Sequence, residues 1–331
     1  MAADHFLVTG GTGCIGAWVT RRLLADGSGV TLFSADETRD RLALVLSPAE
    51  LDGLDAVLGD INDLESLEQV ARQRGVTRII HLAALQFPFC AADPIRGARV
   101  NVQGTATMFE LARRLDIGRL VYASSAAVYG PAAHYPEVVL PADAELCPTS
   151  HYGVFKVANE QGARVWWDAQ GVASIGLRPH SVYGAGRDQG VTSKTTLAMI
   201  AAAAGRPFHV DFAGAYQFQF AADVAAWFVA AARSDLPGPN VFSLPGPIIA
   251  VADMIGAIET IAQESRGQIT FGERLLPFPA AFDGQPIETA LGPVPTTTLA
   301  DGAADTLARY RAAIADGRVT TAFLDRVLAV Q

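Results

Sequence analysis

The stretch Phe6-Leu7-Val8-Thr9-Gly10-Gly11-Thr12-Gly13-Cys14-Ile15-Gly16-Ala17-Trp18-Val19 decides the fold. A short apolar run meets a glycine-rich turn and passes at once into a helical pattern, so a helix N-terminus faces whatever the turn encloses. Such a terminus attracts an anion. Gly10 permits the tight turn, Gly13 lets the main chain approach a pyrophosphate, and Gly16 admits close packing of the helix on the strand. Gly10, Thr12, Gly13, Cys14, Ile15 and Gly16 are therefore the candidate dinucleotide-binding residues.

Outward from this turn, short β-branched runs alternate with longer helical patterns, the arrangement of a parallel sheet wound by crossover helices. The reading predicts strands at Phe6-Thr9, Val30-Phe33, Ala56-Leu58, Arg78-Leu82, Leu120-Ala123 and Ser174-Arg178. It predicts helices at Ile15-Asp26, Leu64-Arg74, Ile95-Leu115 and Tyr152-Gln170. The fold class is α/β: a doubly wound parallel Rossmann sheet with a smaller, interleaved C-terminal substrate lobe. Residues 1–183 are expected to bind the dinucleotide, with 222–245 returning to that domain. Residues 184–221 and 246–331 are expected to form the substrate lobe. Pro277 to Pro295 reads as a proline-punctuated surface path or a mobile flap.

A second feature carries the chemistry. Tyr152 and Lys156 stand four residues apart, on one helical face. A phenol is a poor base near neutrality unless a fixed positive charge stabilises its anion, and Lys156 supplies one. Ser125, in Ser124-Ser125-Ala126-Ala127-Val128-Tyr129-Gly130, can hydrogen-bond a substrate oxygen while Tyr152 moves its proton. An isolated Tyr/Lys pair is an ordinary amphipathic-helix spacing. Joined to the glycine turn and the serine segment, it predicts acid/base assistance to hydride transfer.

The second strand ends at Ser34, where an acidic residue normally accepts from the adenosine ribose of NAD. Asp36 and Glu37 follow it and oppose an additional phosphate, whereas Arg39 and Arg41 either reach such a phosphate or are solvated helix charges. The cofactor is NAD or NADP, with the balance towards NAD. Asp60 and Ile61, after the third strand, either flank an adenine or belong to a plain loop.

The 331 residues are 50% hydrophobic and carry a formal net charge of −9 without a basic block, which argues against a nucleic-acid partner. Apolar runs such as Val224 to Ala232 fall short of the roughly 20 residues that span a bilayer, so no membrane partner is expected. The chain enters its first strand too early to leave room for a secretory signal, and a cytoplasmic protein is expected. Cys14, Cys90 and Cys147 fit neither a disulfide framework nor zinc-ligand spacing, and no metal site is read.

Taken together, these segments resemble the extended short-chain dehydrogenase/reductase superfamily, which includes nucleotide-sugar epimerases and dehydratases. The resemblance also rests on Gly59-Asp60-Ile61, His81-Leu82-Ala83-Ala84, Asn101-Val102-Gln103-Gly104-Thr105, Leu177-Arg178-Pro179 and Ala221-Ala222-Asp223-Val224-Ala225. It implies Ser125 as hydroxyl donor and Tyr152 as acid/base. It implies Lys156 holding the nicotinamide ribose and depressing the tyrosine, and Asn101 supporting the helix or a proton-relay water. Leu82, Ala83 and Ala84 are implied cofactor contacts. Helices Ile95-Leu115 and Tyr152-Gln170 resemble the dimer-forming helices of the superfamily, and a homodimer is expected.

Departures from the pattern bear on the reaction. Relatives acting on nucleotide sugars commonly carry an asparagine and an arginine where this chain has Ser181 and Tyr216, and dehydratases an acid where it has Ala126. The expected substrate is a small hydroxyl or carbonyl compound without a nucleotide, such as a sugar, a sugar acid or a related alcohol or ketone. Gln86, Phe87, Ser125, Ala126, His180, Ser181 and Tyr183 are the candidate contacts, and Val191 to Thr196 either binds a carboxylate or is a solvated helix start. The alternatives are an epimerase that retains its NAD and a non-catalytic dinucleotide sensor.

Overall fold

A computed structural model describes residues 4–329. Seven parallel strands form the main sheet, in the order Pro239–Ser243, Ser174–Arg178, Leu120–Ala123, Arg78–His81, His5–Thr9, Gly29–Ser34 and Asp55–Leu58. The strand His5–Thr9 is apolar on both sides because both faces are covered. Phe6 and Val8 join one core, with helices Cys14–Ala25 and Ala221–Arg233. Leu7 joins the other, with Leu64–Arg74, Gly104–Arg114 and His151–Gln170. On that second face Phe109 stacks on Trp166 with ring centroids 5.8 Å apart.

The chain order reverses at His5–Thr9. Gly29–Ser34 lies on one side of His5–Thr9 and Arg78–His81 on the other. Ligands of open α/β sheets bind at such a switch point, beyond the carboxyl ends of the strands. Three smaller sheets build the wall opposite: Ser181–Tyr183 with Ala215–Phe220 and Ile248–Ala250, Phe208–Val210 with Ile269–Phe271, and Val139–Leu140 with Ala281–Phe282.

Two segments differ from expectation. The predicted helix over Ile95-Leu115 is interrupted: Pro94–Ala98 passes through a π-turn at Arg99–Gln103 before Gly104–Arg114 resumes the α-helix. Wide turns of this kind re-aim side chains, often at functional sites. Here Asn101 turns onto the main chain of Leu85, accepting from its N–H at 2.7 Å and donating to its carbonyl at 2.9 Å. The segment from Pro277 is not a plain surface path either. Ala281–Phe282 pairs with Val139–Leu140, and Gln285–Leu291 is helical.

His81, at the end of its strand, is buried between two hydroxyls, with Nδ1 2.6 Å from Thr9 Oγ1 and Nε2 3.1 Å from Thr105 Oγ1. Burial pushes its imidazole down to about 3. The unfolded chain therefore binds this proton where the folded one does not. The stability due to the neutral ring is complete above an ordinary histidine pKa and is lost as pH falls towards the folded value. Urea midpoints should drop between about pH 7 and about pH 4, at up to about 1.4 kcal/mol per pH unit from this group. His81→Asn should flatten that slope; an unchanged slope would show that His81 does not govern the acid limb.

Candidate active site

The glycine turn is as tight as the sequence demands. Gly10 has a φ of 69°, and a Cβ there would stand 2.5 Å from the main-chain nitrogen of Ala83. A Cβ on Gly16 would stand 2.2 Å from the carbonyl oxygen of Gly10, a contact only main-chain movement relieves. Gly13 caps helix Cys14–Ala25 without a side-chain hydrogen bond, and no acid lies in the first turn. Its leading N–H groups and positive dipole end are therefore available to an anion. Thr12 Oγ1 lies 3.2 Å from Ser34 Oγ at the edge of a cavity of about 370 Å³ that also reaches Asp36, Glu37 and Arg39. An open helix terminus joined to such a cavity fits the phosphates and adenosine of a dinucleotide.

Other expected cofactor residues take structural positions around this cradle. Leu82 N–H donates to the Thr9 carbonyl at 3.0 Å, and Ala83 N–H approaches Thr9 Oγ1 at 3.4 Å. These bonds draw the loop that continues through Ala84 over Gly10. Ile15 packs against the first core, and burial pushes the Cys14 thiol up to about 11. Asp60 pairs with Arg99 at 3.0 Å, and Ile61 is buried under Gly104. Neither Asp60 nor Ile61 lines the 370 Å³ cavity. Arg41 is bound to Asp188 at 2.7 Å, while Arg39 reaches the Leu51 carbonyl at 3.1 Å.

Ser125, Ala126, Tyr152, Gln86, Phe87, His180 and Ser181 converge on a second cavity of about 480 Å³. Ser125 follows the carboxyl end of Leu120–Ala123, and its Oγ accepts from Ala127 N–H at 3.1 Å. Tyr152 lies in the first turn of helix His151–Gln170, capped by Ser150. Burial raises the Tyr152 phenol, while the neighbouring Ser125 hydroxyl and the positive charge of Arg187 pull it back.

Lys156 lies one turn after Tyr152 on the same helix. Its Nζ donates to the Ala123 carbonyl at 2.6 Å and lies 5.5 Å from the Tyr152 ring centroid, and burial pulls the ammonium down to about 8. The charge of Arg187 also lowers the phenol. Behind the cavity, Asn101 clamps Leu85, and its main-chain oxygen accepts from Asn159 Nδ2 at 2.9 Å.

His180 is satisfied on both nitrogens, by Ser181 Oγ at 3.0 Å and the Pro279 carbonyl at 2.9 Å, and burial pushes it down to about 4. It is a neutral wall residue. Tyr183 does not line the cavity: its ring is buried in the first core against Phe218 and Phe220, beneath Gly302. Its strand, Ser181–Tyr183, turns Ser181 towards the cavity, and the core takes the tyrosine.

Sequence reasoning missed Arg187, and Arg274 with Leu276 to Phe278, on the cavity wall, whereas Val191 and Thr192, from the segment read as a carboxylate site or a helix start, line it as well. Only Arg187 left a local trace, as a cation directly after Gly184-Ala185-Gly186. The absence of a cation from Tyr216 to Phe220 therefore does not leave the cavity without one. Tyr216 itself is buried and accepts from Leu276 N–H at 2.7 Å.

Comparison with known proteins agrees with this geometry. A UDP-glucose 4-epimerase from Mycolicibacterium smegmatis is 32% identical over 230 residues, covering 68% of this chain and 72% of the relative. One from Azospirillum brasilense is 31% identical over 189 residues, covering 56% of this chain and 51% of the relative. The matched region thus spans about half the length of several curated relatives. Among solved structures, UDP-glucose 4-epimerase of Thermotoga maritima superposes with a TM-score of 0.79 at 22% identity, covering 94% of this chain and 99% of that one. An L-threonine dehydrogenase from Cupriavidus necator gives 0.77 at 21%, covering 92% and 99%. At these identities the structures share the fold. The family model described as the NAD dependent epimerase/dehydratase family matches residues 6–244, and the chain belongs to that family, within the extended short-chain dehydrogenase/reductases.

Proposed function

We propose that the protein is an NAD-dependent oxidoreductase interconverting a hydroxyl and a carbonyl on a small substrate without a nucleotide, a sugar acid or related hydroxy compound. The observation that carries this is Ser125 and Tyr152 together on the wall of one cavity, with Lys156 on the helix of Tyr152 and the glycine cradle alongside. Gly10 to Gly16 would hold the phosphates, Ser34 the adenosine ribose and Lys156 the nicotinamide ribose. When bound, the dinucleotide supplies the two-electron acceptor and donor. Asp36 and Glu37 beside Ser34 favour NAD over its phosphorylated form.

The residues themselves handle the proton. The Ala127 N–H fixes Ser125 Oγ so that the hydroxyl is presented to the substrate oxygen. Tyr152 takes the substrate hydroxyl proton in oxidation and returns one in reduction. Lys156, held by the Ala123 carbonyl, keeps a fixed ammonium beneath the ring. Phe87, Leu276 and Phe278 narrow the cavity and keep water from the reacting carbon.

The epimerase relatives support a second reading, in which the same residues remove and restore hydrogen within one turnover. Sugars, sugar acids, alcohols and ketones assayed with NAD and NADP in parallel separate the two. Accumulation of reduced cofactor with a free hydroxy compound is the expected result. Conversion of a nucleotide sugar without net cofactor change would establish the epimerase. A sensor needs no turnover at all.

The same reading includes a homodimer. Ile95, Val154, Val165 and Trp167 present exposed apolar surface on the segments expected to pair. Light scattering at micromolar concentration should give twice the chain mass, and a monomer would remove this part of the reading. Among the described residues, no helix is long and apolar enough to cross a membrane.

A further inference from the structure

The substrate cavity has two arginines and no carboxylate on its wall. They are not equivalent. Arg274 is exposed at the mouth and paired with Asp211 at 3.0 Å. Arg187 lies deeper: it is half-buried on the cavity wall it shares with Tyr152, and Gly186, just before it, packs close to the main chain of Cys14 in the glycine turn. The Arg187 Nε is buried without a hydrogen-bond partner. The neighbouring carboxylate, Asp188, is already engaged by Arg41 at 2.7 Å, and among the described residues Arg187 forms no ion pair. A buried polar group with no partner is costly and usually awaits one.

The guanidinium is also held in place. Its loop is tied by Trp18 Nε1 to the Ala185 carbonyl at 3.0 Å and by Gly186 N–H to the Tyr310 hydroxyl at 3.1 Å. Gly190, with a φ of 102°, leaves room for its tip. A Cβ there would stand 2.8 Å from Arg187 Nη2 and 3.2 Å from Gln86 Oε1. An amide and a guanidinium thus meet at one spot on the cavity wall, beside the proton-transferring phenol.

We propose that Arg187, assisted by Gln86, binds a carboxylate carried by the substrate close to the oxidised carbon, so that the enzyme acts on small hydroxy acids. This rests on the oxidoreductase reading above. A planar guanidinium pairs with a carboxylate through two parallel hydrogen bonds. The diphosphate of a nucleotide sugar is separated from the reacting ring carbon by the sugar itself, so a cation at the phenol is placed for a carboxylate instead.

The test uses NAD-loaded protein and 2-hydroxyisobutyrate, a tertiary alcohol that cannot be oxidised to a ketone, against its amide, in calorimetric titrations. The wild type should bind the acid at least about thirtyfold more tightly than the amide, as one charge-assisted pair implies. In Arg187→Met that ratio should fall to near one, and Arg187→Lys should restore part of it by returning the charge without the fork. An equal affinity for acid and amide in the wild type, or a ratio retained in Arg187→Met, would overturn the proposal. So would a loss of NAD affinity with the ratio intact, which would make Arg187 a cofactor-phosphate ligand. A ratio that depends on Arg187 in a protein that oxidises no hydroxy acid upholds the carboxylate site and rejects the oxidoreductase reading. Hydroxy-acid oxidation undiminished in Arg187→Met does the reverse.

Discussion

Tyr152→Phe should lower kcat for oxidation by about 10²–10⁴-fold, the range lost when a positioned acid/base is removed. The substitution deletes one oxygen at the cavity wall and leaves the ring, Lys156 and the glycine turn in place. NAD affinity, read from cofactor fluorescence, should therefore stay within a few-fold. The pH profile provides an independent check. Burial raises the phenol, so its basic form grows only as pH rises, and oxidation should accelerate on the alkaline side while reduction slows. A variant that keeps its rate and this profile would show that the phenol moves no proton.

Removing the Glu160 carboxylate should produce the largest loss of stability. Glu160 is buried behind the serine segment and accepts from Arg178 Nε at 2.8 Å, Arg178 Nη2 at 2.7 Å and Ser124 Oγ at 2.5 Å. Arg178 also donates to the Tyr129 hydroxyl at 2.7 Å. Glu160→Met leaves the Arg178 charge buried without its counter-ion, at a cost of about 3–5 kcal/mol. Replacing both residues by methionine should recover much of that, because a well-packed apolar pair replaces a buried ion pair at little net cost. Urea unfolding of the two single variants and the double variant measures the coupling; additive losses would show that the pair is not a unit. Glu160 also supports the Lys156 charge, so the single variant should lower the apparent pKa of that lysine further.

The strand-turn-helix at the amino terminus was legible because its information is local. Apolar alternation, glycine spacing and helical periodicity each reside in a contiguous stretch, and strands Leu120–Ala123 and Ser174–Arg178 lie where the pattern places them. The break in the expected helix over Ile95-Leu115 was not legible. It depends on Leu85, whose main-chain groups pull Asn101 out of the regular helix from another part of the chain. Tyr183 was misassigned for a related reason, since one residue's choice between core and cavity depends on Gly302, Phe218 and Phe220 packing on it.

The sequence by itself determined the α/β class, the glycine turn and the pairing of Tyr152 with Lys156, because strand alternation, a three-glycine turn and a one-turn helical spacing are properties of neighbouring residues. Only the tertiary structure decided which charges face the cavity. It brought Arg187 to Tyr152 and Gln86, and Arg274 to the cavity mouth, across stretches of chain that share no local pattern. An electrostatic environment is a sum over distances in space, and those distances exist only once the core has packed.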